Sequence, residues 1–156
     1  MSTAQAPLSP HILREYAFLA DGERGVLVGP RGDFAWMCFP RWHDDAVFCS
    51  LLGGRSHYSV TPAERFVWGG YYEPASLIWR SRWTTGGGIV ECREALALPS
   101  SKHRAVVLRR IEVLDGEAQL EVSLAAGAGF DRHGMAALKR AGDGSWEARL
   151  GEERMR

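Results

Sequence analysis

The chain has 156 residues, with nineteen Lys and Arg balancing nineteen Asp and Glu, and 46% of its residues are hydrophobic. That length suits one domain that buries roughly two thirds of the surface its unfolded form would expose. The basic residues are dispersed, not gathered on one stripe, so the electrostatic footprint of a nucleic-acid binder is missing and no nucleic-acid partner is expected.

Residues 1–13 contain Pro7, Pro10 and small polar residues that cannot offset the entropy of ordering, and they read as a flexible N-terminal arm. They hold neither a charged n-region nor an apolar h-region, and nowhere do about 18 apolar residues run together, so no membrane partner is expected. Residues 14–156 form the domain proper. Its eighteen glycines, six tryptophans and short runs of Val, Ile and Leu predict a mostly β fold.

The runs Val26-Leu27-Val28 and Phe34 to Phe39 flank Gly29-Pro30-Arg31-Gly32-Asp33, which supplies turn geometry and predicts a β-hairpin. After Pro40, Arg41-Trp42-His43-Asp44-Asp45 opens an apolar run that stops at Gly53-Gly54. An acidic start and a glycine stop predict one short helix near residues 45–52. Ser56 to Val60 and Glu64 to Tyr72 follow as strands.

Period-two alternation is clearest in Leu77 to Trp83, where Leu77, Trp79 and Trp83 take one face and Arg80 and Arg82 the other. Thr84 to Gly88 turns the chain into Ile89 to Leu98, then Arg104 to Val113. The Asp115-Gly116 turn leads into Ala118 to Leu124, with Leu120, Val122 and Leu124 expected to face inward. Met135 to Arg140 and Ser145 to Leu150 are weaker strand candidates, and the last six residues offer no element. Successive antiparallel strands at this spacing make a β-sandwich.

Metal sites need His, Cys or carboxylate ligands at converging spacings, and none occurs, so no metal or cofactor is expected. There is no Gly-x-Ser-x-Gly elbow and no phosphate-binding loop between strand and helix. Glycoside cleavage needs two carboxyls about 5–9.5 Å apart. The nearest in-strand pair, Glu91 and Glu94, has an odd spacing that sends the two to opposite faces. Both read instead as solvent-facing charges paired with neighbours such as Arg80 or Arg82. No catalytic residue is assigned.

Candidate substrate or interface residues are Arg41, Trp42, His43 and Asp44, which follow the Trp36 strand at a bend. The alternative is that Arg41 pairs with a carboxylate and Asp44 caps the helix. Trp68, Tyr71 and Tyr72 are further candidates, because Gly69-Gly70 between them could break the strand and expose rings able to stack on a sugar. The cysteines Cys38, Cys49 and Cys92 are an odd count without paired spacing, which fits reduced thiols and a cytoplasmic location.

The run from Arg14 through Tyr16, Asp21-Gly22 and Val28-Gly29, continuing through Gly32, Trp36, Cys38, Pro40 and Arg41, resembles the opening pattern of glycoside hydrolase family 15 proteins, the glucoamylase, glucodextranase and trehalase-like group. Phe66 to Glu73, Ile89 to Pro99 and His103 to Arg110 are similar to later segments of a bacterial branch. Where many members carry an aromatic followed by Asp-Ser-Pro, this chain has Trp42-His43-Asp44-Asp45.

The resemblance implies the N-terminal part of a supersandwich that packs against an (α/α)₆ barrel, with the barrel carrying the catalytic glutamates. No such helical repeat occurs here, and the family uses more chain for its sandwich, so an unpaired sheet edge or uncovered apolar face is expected. The leading function is therefore a non-catalytic accessory domain whose partner is that helical catalytic domain, in a protein that hydrolyses α-glucosidic bonds. A free-standing module that recognises α-glucan or trehalose through Trp68 to Tyr72 is the alternative, and a complete small enzyme is a third reading.

Overall fold

A computed structural model of the chain describes residues 8–156. Of the arm expected over residues 1–13, residues 1–7 lie outside the described residues. The fold is mostly β, as expected, and the described residues form fourteen strands in three antiparallel sheets.

The first sheet runs β1 (Ala17–Ala20), β2 (Gly25–Val28), β3 (Asp33–Cys38), β5 (His57–Pro62) and β10 (Leu120–Ala125), and β4 (Ala46–Phe48) also pairs with β3. The second runs β6 (Phe66–Tyr72), β7 (Trp79–Thr85), β8 (Gly88–Leu96) and β9 (Val107–Gly116). A third holds β11 (Gly127–Ala128), β12 (His133–Arg140), β13 (Trp146–Leu150) and β14 (Glu153–Met155). The last strand lies in the terminal stretch that sequence alone left without structure, and it forms because β13 offers it a free edge at Ala148 to Leu150.

The β2–β3 hairpin is as expected, and its turn depends on Gly32. This residue sits at φ +63°, and a Cβ there would overlap the Val60 carbonyl and crowd the Trp83 ring. Trp83 in turn donates its indole N–H to the Pro30 carbonyl at 2.8 Å, which ties the hairpin tip of one sheet to the middle of the other. Between the sheets lie Leu19, Val26, Val28, Phe34, Trp79 and Val90, all buried.

The helix expected near residues 45–52 does not form. Ala46, Val47 and Phe48 are all buried and extended as β4, paired to β3 through Met37–Phe48 and Cys38–Ala46, and only a single 3-10 turn follows at Ser50–Leu52. A run buried on every side satisfies its backbone more readily by joining a sheet than by presenting an all-apolar helix. The glycine stop is real, with Gly53 in the left-handed region at φ +83°.

Trp79 and Trp83 are buried as expected, but Leu77 precedes β7 and is exposed. Leu120, Val122 and Leu124 stand opposite Pro62, Val60 and Tyr58 on the core-facing side of their sheet, yet Val122 is 60% and Leu124 41% exposed because nothing among the described residues covers them. The expectation of burial fails there for want of a facing layer.

Phe34 packs edge-on against both Phe48 and Tyr58 and is fully buried. Replacing it by Ala is expected to cost about 3–5 kcal/mol, read as a lower urea midpoint with an unchanged slope.

Candidate functional site

The residues singled out from sequence divide among four places. Arg41 and Asp44 close a turn: the Asp44 carboxylate accepts the Arg41 backbone N–H at 2.9 Å, and the Asp44 N–H returns to the Arg41 carbonyl at 3.2 Å. Asp44 therefore caps a turn and not a helix, and the guanidinium of Arg41 makes no ion pair among the described residues. His43 is exposed at the tip.

Trp42 and Tyr72, thirty residues apart, are brought together at β1. The Trp42 ring lies 5.5 Å from that of Phe18 and its indole reaches the Gly22 carbonyl at 3.4 Å. The Tyr72 hydroxyl accepts the Phe18 N–H at 2.6 Å and donates to the Phe18 carbonyl at 3.2 Å, closing the edge of the first sheet with a side chain of the second. Gly69 and Gly70 do not break β6, which pairs with β7 without interruption. Gly70 is glycine because the Trp79 ring lies where its Cβ would be.

Trp68 faces inward opposite Trp83 and packs against the core. Tyr71 points the other way, 5.7 Å from the Arg82 guanidinium and 3.4 Å from a Glu91 carboxylate oxygen. Sequence reasoning thus names two rings that share a place and one that is core.

The odd spacing of Glu91 and Glu94 separates them as expected, but neither faces solvent freely. Glu91 is 3% exposed beneath Arg80 and Arg82, whose guanidinium groups both bond its carboxylate. Burial alone would raise its pKa, and the two arginines outweigh that and hold it below the ordinary range. Glu73 belongs to the same lattice. Hydrogen bonds from Arg93, then Arg80, bring its carboxyl down to about 2.

Glu94 is the larger correction. It is fully buried between the sheets, paired with Arg109 of β9 and accepting the Ser81 hydroxyl at 2.9 Å. Burial pushes its carboxyl upward, against the pull of Arg109. Arg109 bonds the Gly32 carbonyl at 2.5 Å and lies 4.4 Å and 4.5 Å over the rings of Phe34 and Tyr58. The signal for this pair was present: Glu94 and Arg109 both fall at inward positions of adjacent strands, in direct register.

Sequence reasoning also missed Asp131, which holds the Arg55 N–H at 2.6 Å from 76 residues away and the Ser56 N–H at 3.3 Å from 75. No local pattern marks such a contact. A cavity of about 370 Å³ is floored by Phe39, Val47 and Leu150 and rimmed by Asp45, Arg132 and His133, with Asp45 paired to Arg132 at 2.6 Å. None of the sequence candidates lines it.

No group of three or more His, Cys, Asp or Glu converges as a metal site among the described residues. Cys92 is a poor nucleophile, because burial pushes its thiol up to about 12.

These features define an open antiparallel β-sandwich domain whose strand-borne carboxylates are held by its own arginines. The chain belongs to the trehalase-like N-terminal family, whose model matches residues 7–145. It is 29% identical over 161 aligned residues to a trehalase of Mycobacterium tuberculosis (strain ATCC 25618 / H37Rv), an alignment that covers 87% of this chain and 22% of that protein. No solved structure matches.

Two outcomes test these electrostatics. Glu94→Leu or Arg109→Met alone leaves a buried polar group uncompensated and is expected to cost about 3–5 kcal/mol, whereas the two together cost much less than the sum; urea unfolding of the four proteins measures this. For pH, the folded value of Glu73 lies below its ordinary 4.5, so its contribution is present above pH 4.5 and is lost as pH falls toward 2. Glu91 acts in the same direction and Glu94 in the opposite one. Glu73→Gln is expected to flatten the decline of the melting temperature across that window.

Proposed function

We propose that the chain is the non-catalytic N-terminal domain of a glycoside hydrolase family 15 protein, of the trehalase-like or glucoamylase-like kind, and that it supports hydrolysis of α-glucosidic bonds by a helical domain of its parent protein. The observation that carries this reading is the family match across nearly the whole chain, combined with a span of only 22% of the related trehalase.

The chemistry of the domain supports the same reading. Inverting or retaining cleavage needs one carboxyl able to donate a proton and another free to activate water or attack carbon. On β8, Glu91 is held by Arg80 and Arg82 on one face of the sheet and Glu94 by Arg109 on the other, so the two have no common substrate to face. Of the rings in the alternative glucan-binding reading, Trp68 lies in the core and the Tyr72 hydroxyl is taken by the β1 backbone, while Tyr71, 44% exposed, lies beside Arg82 and Glu91.

A cytoplasmic location belongs to the proposal and is supported by Cys38, Cys49 and Cys92, all buried free thiols. No helix among the described residues is long and apolar enough to cross a membrane.

Purified chain incubated with trehalose or maltose is expected to release no glucose above a buffer control. Release that disappears when Asp45 or Glu91 is replaced by its amide would overturn the proposal.

A further inference from the structure

Among the described residues the sandwich is open on one side, where β9 ends the second sheet and β10 ends the first. Core-facing residues there stay half exposed: Ile111 at 41%, Val113 at 47%, Val122 at 60% and Leu124 at 41%. β9 is ten residues long, and no strand among the described residues pairs with its outer edge. A long apolar edge of this kind is a template for another strand.

The charges on β9 say what that strand is. Arg110 stands directly opposite Arg93 of β8, and Glu112 directly opposite Glu91. Each therefore meets a like charge inside its own sheet, and both β8 partners are already bound, Arg93 to Glu73 and Glu91 to Arg80 and Arg82. Among the described residues Arg110 and Glu112 form ion pairs only with each other, at 3.3 Å along the strand and with side chains 72% and 49% exposed.

A second β9 laid antiparallel and centred on Ile111 reverses this. It sets Arg110 against Glu112 of the other copy, twice across the two-fold axis, and Ile111 against Ile111. A slip of one residue would turn the core faces outward. A slip of two either way would oppose Arg110 to Arg110 or Glu112 to Glu112.

We propose that this chain forms a two-fold symmetric dimer through β9, pairing around Ile111 into a continuous eight-stranded sheet, so that the open side of each sandwich closes on that of the other. The proposal concerns the 156-residue chain by itself and does not depend on the functional reading above.

Light scattering on the size-fractionated chain over a range of concentrations tests it. The expected mass approaches twice 17.3 kDa. Arg110→Glu and Glu112→Arg, each made singly at an exposed position, are expected to weaken association roughly tenfold by opposing like charges twice. The double reversal, Arg110→Glu with Glu112→Arg, restores it. Melting curves check that all variants fold. A monomer at every concentration, a polydisperse aggregate, or a dimer indifferent to the reversals overturns the proposal.

Discussion

The guanidinium of Arg109 is the constraint around which the two main sheets are arranged. It leaves β9, meets the Glu94 carboxylate of its own sheet, and donates from its two terminal nitrogens to the Tyr58 and Gly32 carbonyls of the facing sheet, while its Nε has no partner among the described residues. Phe34 and Tyr58 cover its flat faces. A planar cation with a fixed fork of donors suits this position in a way a lysine would not, because the two sheets must hold one separation and one register for every bond to form. Apolar packing alone is less particular, since a core of Val, Leu and Trp tolerates exchange for side chains of similar volume. The buried pair adds specificity at a desolvation cost that its own hydrogen bonds offset.

The ionisable chemistry of the second sheet follows from that arrangement. β8 carries Glu91 and Arg93 on its outer face and Glu94 on its inner one, and each acquires a counter-charge from the β6–β7 hairpin or β9. On the outer face Glu73, Arg80, Arg82, Glu91 and Arg93 form one connected lattice. Carboxylates so occupied are poor proton donors and poor nucleophiles. These charges hold the outer face of the sheet together.

Sequence showed the alternating strands and the Gly-rich turns, because period-two patterning and φ-positive turn residues are local properties. It showed that Glu91 and Glu94 diverge, because parity is also local. It did not show β4, where Ala46 to Phe48 carry helix punctuation but are buried on both sides, nor the meeting of Trp42 and Tyr72 at Phe18, which only the docking of β6 against the β1 edge produces. Val122 and Leu124 were misread for a different reason. Their alternation correctly places them on the core side, but alternation reports which face a residue takes and not whether a second layer covers it.

The residues that carry the family resemblance prove to be structural at nearly every position, and that explains why the family is legible while a substrate is not. Gly29 and Gly32 shape the hairpin tip whose carbonyl receives Arg109 and whose Pro30 receives Trp83. Cys38 packs with Ala46, Cys49 and Trp36 in a small core of its own. Arg41 supplies the backbone N–H of the turn closed by Asp44. Each of these requirements is set by backbone approach or packing, so the motif identifies a scaffold. The departure from the family pattern at Trp42-His43-Asp44-Asp45 falls where the chain leaves that scaffold. There Asp44 closes the turn, Trp42 packs on Phe18 and Asp45 is drawn off to Arg132, leaving His43 as the residue of the four that the fold does not use.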